Sequence, residues 1–67
     1  MKIYVNNKLQ EIPDQAKITD TLDILKISSL KGIAIAVNNS VIPKTEWETH
    51  ELLNNDKITL IQATQGG

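Results

Sequence analysis

A chain of 67 residues, 40% hydrophobic and 22% charged, holds one domain and no second core, and its balance is too apolar for obligate disorder. A net charge of −1 without any Arg argues against a nucleic-acid domain, which needs a basic surface and bidentate forks. The absence of Cys excludes a disulfide framework and thiolate metal sites. With no Phe, one Tyr and one Trp, the core must rest on aliphatic side chains, which in a chain this small hold about 3–5 kcal/mol of stability. The longest apolar run, Ile33 to Val37, is far shorter than a membrane span, and no charged-then-apolar leader opens the chain. The expected setting is therefore cytoplasmic, without membrane or nucleic acid. A ligand cleft of several hundred Å³ competes with so small a core for the same side chains, so a carrier, modifier or binding module fits better than an enzyme.

The chain opens with alternation. Met1, Ile3 and Val5 share one face and Lys2 and Tyr4 the other, the period of a half-buried strand. Asn6-Asn7 predicts a tight turn, because Asn tolerates positive φ, and Leu9 to Ile12 returns as a second strand ended by Pro13-Asp14. The period then changes. Ile18, Leu22 and Leu25 form one stripe of an amphipathic helix of about ten residues. Thr19 is the expected N-cap, Asp20 and Asp23 suit the positive end of the helix dipole, and Lys26 lies towards the negative end. The helix is expected to fade by Ser28-Ser29, with Gly32 marking the next turn. Ile33-Ala34-Ile35-Ala36-Val37 reads as a strand buried on both faces. Asn38-Asn39 predicts a second hairpin turn, with a return from Ser40 to Ile42 that stops at Pro43. Lys44 to Asn55 is irregular or holds a short helical turn, with Trp47, Leu52 and Leu53 available to cover the core. After a turn at Asn54-Asn55-Asp56, Lys57 to Gln62 alternates again as the last strand.

Two hairpins separated by one helix, with a final strand returning through a long link, define an α+β fold. The last strand has enough intervening chain to cross over and pair parallel with the first. The expected architecture is the β-grasp: one domain over residues 1–67, a mixed five-stranded sheet packed on one main helix, and a flexible tail at 64–67.

That tail, Thr64-Gln65-Gly66-Gly67, carries no large apolar anchor and ends in two residues without side chains. Such a strip can thread a narrow tunnel and present its carboxylate, although a frayed end has the same composition. Together with the β-grasp order and the short length, the terminal glycines make the chain resemble the ubiquitin-like family. Within that family it is similar to the thiamine-biosynthesis sulfur carriers, the ThiS family. The likeness is carried by Gly32-Ile33-Ala34-Ile35-Ala36-Val37-Asn38, by Val41-Ile42-Pro43-Lys44 with Trp47 shortly after, by Asp56-Lys57-Ile58, and by Gly66-Gly67. It spans nearly the whole chain in element order and is densest between residues 32 and 47. Members of that family commonly carry Arg where Lys44 stands and Gly where Asn55 stands. Lys44 keeps the charge but loses the planar fork, whereas Asn55 can still adopt a left-handed turn.

The resemblance implies a protein that is acted upon and supplies no catalytic side chain. An ATP-dependent adenylating enzyme of the ubiquitin-activating type, using ATP and Mg²⁺ itself, would adenylate the carboxylate of Gly67. A sulfur donor protein would then convert the terminus to a thiocarboxylate, and thiazole synthase would receive the sulfur. Thr64, Gln65 and Gly66 would be the threading tail, and Lys44 and Trp47 are candidate partner contacts. The small sulfur-carrier subunit of molybdopterin synthase has the same terminal chemistry and stays open, as does a β-grasp interaction module with an idle tail.

Other constellations are bland. His50 is the only His; it has Glu46 and Glu51 nearby but no second ligand cluster, so a solvated loop residue is expected and no metal site. Asp20 and Asp23 could form a carboxylate pair, yet helix-start electrostatics accounts for both. Glu46, Glu48 and Glu51 make an acidic patch that suits a wet surface or orients the domain against a basic partner. Trp47, typical of interface hot spots, is equally suited to capping the core edge.

Overall fold

The computed structural model describes residues 1–27 and 31–62. Strands β1 (Lys2–Val5) and β2 (Lys8–Glu11) precede the helix α1 (Ile18–Ile24). After it come β3 (Ile33–Val37), β4 (Ser40–Val41), a single 3₁₀ turn at Lys44–Glu46, and β5 (Lys57–Gln62). The strands form one sheet in the order β2-β1-β5-β3-β4. The two hairpins are antiparallel, and β5 lies between them, parallel to β1 and antiparallel to β3. This is the expected β-grasp. The last strand in sequence is the middle strand in space, so neither hairpin can complete the sheet without it.

Both hairpin turns are built on asparagine. Asn6 and Asn7 have φ of 49° and 69°, and Asn38 and Asn39 have 50° and 71°. Two successive positive φ values give the turn whose twist matches its flanking strands, and Asn is the side-chain-bearing residue that bears them most easily. Asn55 is left-handed too, at φ 72°, the turn geometry that its side chain was expected to tolerate. Gly32 takes φ 71° at the entry to β3, as its position predicts.

The helix differs from its sequence reading at both ends. It starts two residues earlier, with Lys17 rather than Thr19 as N-cap. The Asp20 carboxylate accepts the Lys17 backbone N–H at 2.9 Å, and the Thr19 N–H donates to the Trp47 carbonyl at 3.2 Å. A tertiary acceptor thus satisfies a first-turn donor that the sequence reading assigned to a cap. The helix has seven residues rather than about ten because Lys26 turns left-handed, at φ 59°. The Lys26 N–H then bonds the Asp23 carbonyl and the Ile27 N–H reaches back to the Leu22 carbonyl, which is the Schellman pairing. The expected fading at Ser28-Ser29 lies outside the described residues.

The core gathers between α1 and one face of the sheet. Ile3, Ile18, Ile35 and Leu52 are fully buried, joined by Ile12, Leu22, Ile33, Val37, Trp47 and Ile58. Two expectations need correction here. β3 is buried on one face only: Ile33, Ile35 and Val37 point inward, while Ala34 is exposed and Ala36 half-buried. One helix covers one side of the sheet, and no second layer among the described residues covers the other. Leu52 enters the core but its neighbour Leu53 is 65% exposed, because the Leu52 N–H is pinned to the Ala16 carbonyl and successive side chains diverge. The strand boundaries β2 and β4 each shift by a residue, although Ile12 and Ile42 still donate backbone bonds to Met1 and Ile35.

Candidate functional site

Strand β5 is the element that leads to the chain end, and its two edges are held differently. On its β3 side five residue pairs run from Ile33–Gln62 to Val37–Ile58. On its β1 side only Tyr4–Lys57 and Val5–Ile58 pair, because β1 stops where its hairpin turns. The side chain of Asn6 continues the missing edge. Its Oδ1 accepts the Leu60 N–H at 2.9 Å and its Nδ2 donates to the Leu60 carbonyl at 3.2 Å. One amide group thereby takes the place of a strand residue.

The start of β5 is held by a second asparagine. Asn38 Oδ1 accepts the Lys57 N–H at 3.0 Å, and Asn38 Nδ2 donates to Asp56 Oδ1 at 2.9 Å. The other oxygen of Asp56 accepts the Leu53 N–H at 2.8 Å. Asp56, only 7% exposed, is one of two buried polar residues among those described, and all its work is structural. The sheet therefore anchors β5 at both ends through the first residue of each hairpin turn.

Trp47 is 2% exposed and belongs to the core edge. Its indole N–H donates to the Ile42 carbonyl at 2.8 Å, which satisfies the polar atom that burial would otherwise strand. The 3₁₀ turn places the exposed Lys44 beside it, with the ammonium 5.8 Å from the ring centroid. Of the two candidate contact residues, Lys44 is the one that faces solvent, and Trp47 supports it from beneath.

The remaining sequence candidates separate in space and in role. Asp20 is engaged at the helix start, and Asp23 is exposed. His50 is half-buried, its backbone N–H bonded to the Glu46 carbonyl at 2.7 Å. No cluster of three metal-ligating side chains occurs among the described residues. Glu46, Glu48 and Glu51 are exposed, and Glu51 sits 3.7 Å from the Lys17 ammonium. The void between α1 and the sheet measures ≈10 Å³, about the room of a single water, so it is no ligand chamber. No helix among the described residues is long and apolar enough to cross a membrane.

The structure also reveals an apolar surface that the sequence reading did not single out. On the uncovered face, Tyr4 pairs with Leu9, Ala34 with Ile61, and Ala36 with Val41. Leu9 and Ile61 are mostly exposed and Val41 is 73% exposed. The signal was present as apolar residues at the outward phase of alternating strands, where polar ones are usual. Thr64, Gln65, Gly66 and Gly67 lie outside the described residues.

A five-stranded mixed sheet on one helix, with the last strand central, is the architecture of the ubiquitin-like β-grasp proteins. The chain belongs to the ThiS family, whose model matches residues 3–67. The sulfur carrier protein ThiS of Escherichia coli (strain K12) is similar to it at 27% identity, with both chains covered completely. The crystal structure of the thiamine biosynthesis protein (ThiS) from Geobacter metallireducens shares its fold with a TM-score of 0.84 at 19% identity, again over 100% of both chains. The solution structure of a thiamine biosynthesis protein from the same organism gives 0.81 at 19% identity, covering this chain fully and 88% of the other.

Proposed function

We propose that this chain carries sulfur for thiamine biosynthesis on the carboxyl group of Gly67. The observation that carries the reading is that the match to the ThiS family extends through residue 67 and so includes Gly66-Gly67. The whole-length likeness to a sulfur carrier protein supports it.

The chemistry follows from what a carboxylate lacks. Its charge is delocalised and it has no good leaving group, so a sulfur nucleophile does not displace oxygen from it directly. An ATP-dependent adenylating enzyme removes that obstacle. The Gly67 carboxylate attacks the α-phosphorus of ATP, an O–P bond forms, and pyrophosphate leaves. A sulfide-level nucleophile from a sulfur donor protein then attacks the acyl carbon; a C–S bond forms and AMP departs. The product thiocarboxylate is nucleophilic at sulfur and is consumed by thiazole synthase. ATP and Mg²⁺ belong to the adenylating partner, and this chain supplies the reacting terminus and a surface to be recognised.

The two terminal glycines allow Thr64-Gln65-Gly66-Gly67 to enter a narrow channel that side chains would block. Lys44, exposed above Trp47, is the proposed charged contact to a partner carboxylate, as a point charge rather than a fork. Incubation with the thiamine-pathway adenylating enzyme, ATP and a sulfur source is expected to raise the intact mass by the difference between sulfur and oxygen. An unchanged mass, with the enzyme active on a control carrier, would overturn the reading. Delivery of the sulfur to molybdopterin synthase but not to thiazole synthase would reassign the pathway.

A further inference from the structure

The bond pattern around β5 points to a specific part for Asn6, resting on the carrier reading above. We propose that Asn6 is a positioning residue: its amide holds the outgoing end of β5 in register, so that an activating partner meets a fixed base for the reactive terminus. Along its last three residues β5 is paired by β3 on one side, while β1 has already ended on the other. The Leu60 N–H and C=O point to that vacated side, and both are taken by Asn6, at 2.9 and 3.2 Å. No other side chain among the described residues is given both backbone groups of a single residue. The turn itself does not need this amide, because Gly supplies the same positive φ.

The consequence concerns docking rather than chemistry. A strand end held on one edge frays more readily than one held on two, and fraying reduces the fraction of molecules ready to bind. Apparent affinity falls by that same fraction. The reacting carboxylate of Gly67 is seven residues beyond Leu60 in the sequence, and its adenylation is performed by partner groups, so the chemical step is not touched. Loss of the Asn6 amide should therefore raise KM for the carrier and leave kcat unchanged.

The test compares Asn6→Gly with Asn7→Gly. Both keep a turn that accepts positive φ at its two central positions, but only the first removes the bonds to Leu60. With the adenylating enzyme and ATP, Asn6→Gly is expected to raise KM about three- to ten-fold at constant kcat, the range that one or two exposed hydrogen bonds supply. Asn7→Gly should match the parent protein. Amide hydrogen exchange of the free carrier should quicken at Leu60 and Ile61 in Asn6→Gly, while Ile3 and Ile35 keep their protection. Equal KM values for parent and Asn6→Gly would overturn the proposal, even if exchange at Leu60 quickens. An equal rise in Asn7→Gly would overturn it as well, by assigning the effect to the turn. Failure of the parent protein to be charged at all would instead sink the carrier reading, and this inference with it.

Discussion

Asn38 Nδ2 donates to Asp56 Oδ1 at 2.9 Å, joining the turn after β3 to the residue before β5 across eighteen positions of sequence. The same carboxylate accepts the Leu53 N–H, so a single buried Asp closes the long link and fixes where the central strand begins. Replacing Asp56 by Ala leaves the Leu53 N–H and the Asn38 amide without their partner. The expected loss is about 2 kcal/mol of folding stability, a large share of what so small a core supplies. Urea unfolding of Asp56→Ala should show a lowered midpoint at unchanged slope.

Trp47 offers a cleaner separation of packing from hydrogen bonding. Trp47→Phe keeps an aromatic ring at the core edge but strands the Ile42 carbonyl, and is expected to cost about 1–3 kcal/mol. Lys44→Ala removes a charge held 5.8 Å from the ring on an exposed face, where such a pair contributes about 0.5–1 kcal/mol. Thermal denaturation should rank Trp47→Phe well below Lys44→Ala. If Lys44 contacts a partner as proposed, Lys44→Ala also weakens carrier binding in titration calorimetry, whereas Lys44→Arg retains or strengthens it.

Left-handed positions make predictions of opposite sign. Lys26 occupies the cap site after α1 at φ 59°, where a side chain is a burden. Lys26→Gly is expected to stabilise the fold by up to about 1 kcal/mol. Asn55→Gly should be close to neutral, since Asn already tolerates φ 72°, whereas Asn55→Val should cost about 1–2 kcal/mol. Differential scanning calorimetry of the three variants checks the order.

At the chain end the expected outcome is selective. One residue appended after Gly67 should abolish the mass gain produced by the adenylating enzyme, and Gly66→Val should do so largely. Neither change should move the urea midpoint, because among the described residues the pairing of β5 with β3 runs only as far as Gln62. A shift in that midpoint would mean that the terminus contributes to the fold.

Most of the architecture was legible because it is encoded locally. The Asn-Asn pairs announced both hairpins, alternation announced the strands, and the 3.6-residue stripe of Ile18 and Leu22 announced the helix. The misreadings arose where a distant group intervened. Thr19 looked like a cap because a hydroxyl near a helix start usually is one, but the Trp47 carbonyl already took its N–H, and Asp20 capped Lys17 instead. The apolar run of β3 looked doubly buried because Ala is compatible with both environments; its outer face belongs with the exposed Ile61 and Val41. The terminal glycines, which carry the functional reading, were visible as composition alone.

By itself, then, the sequence determined the elements, their turns and the absence of side chains on the last two residues, since each depends on neighbours within one turn or one strand period or on composition alone. Only the tertiary structure decided that Asn6 clamps Leu60, that Asn38 and Asp56 lock the start of β5, and that Lys44 stands over a buried Trp47. These contacts join residues far apart in the chain, and their partners are chosen by which strands become neighbours. No local propensity specifies that choice; it is made when burial of the aliphatic face draws β5 between the two hairpins.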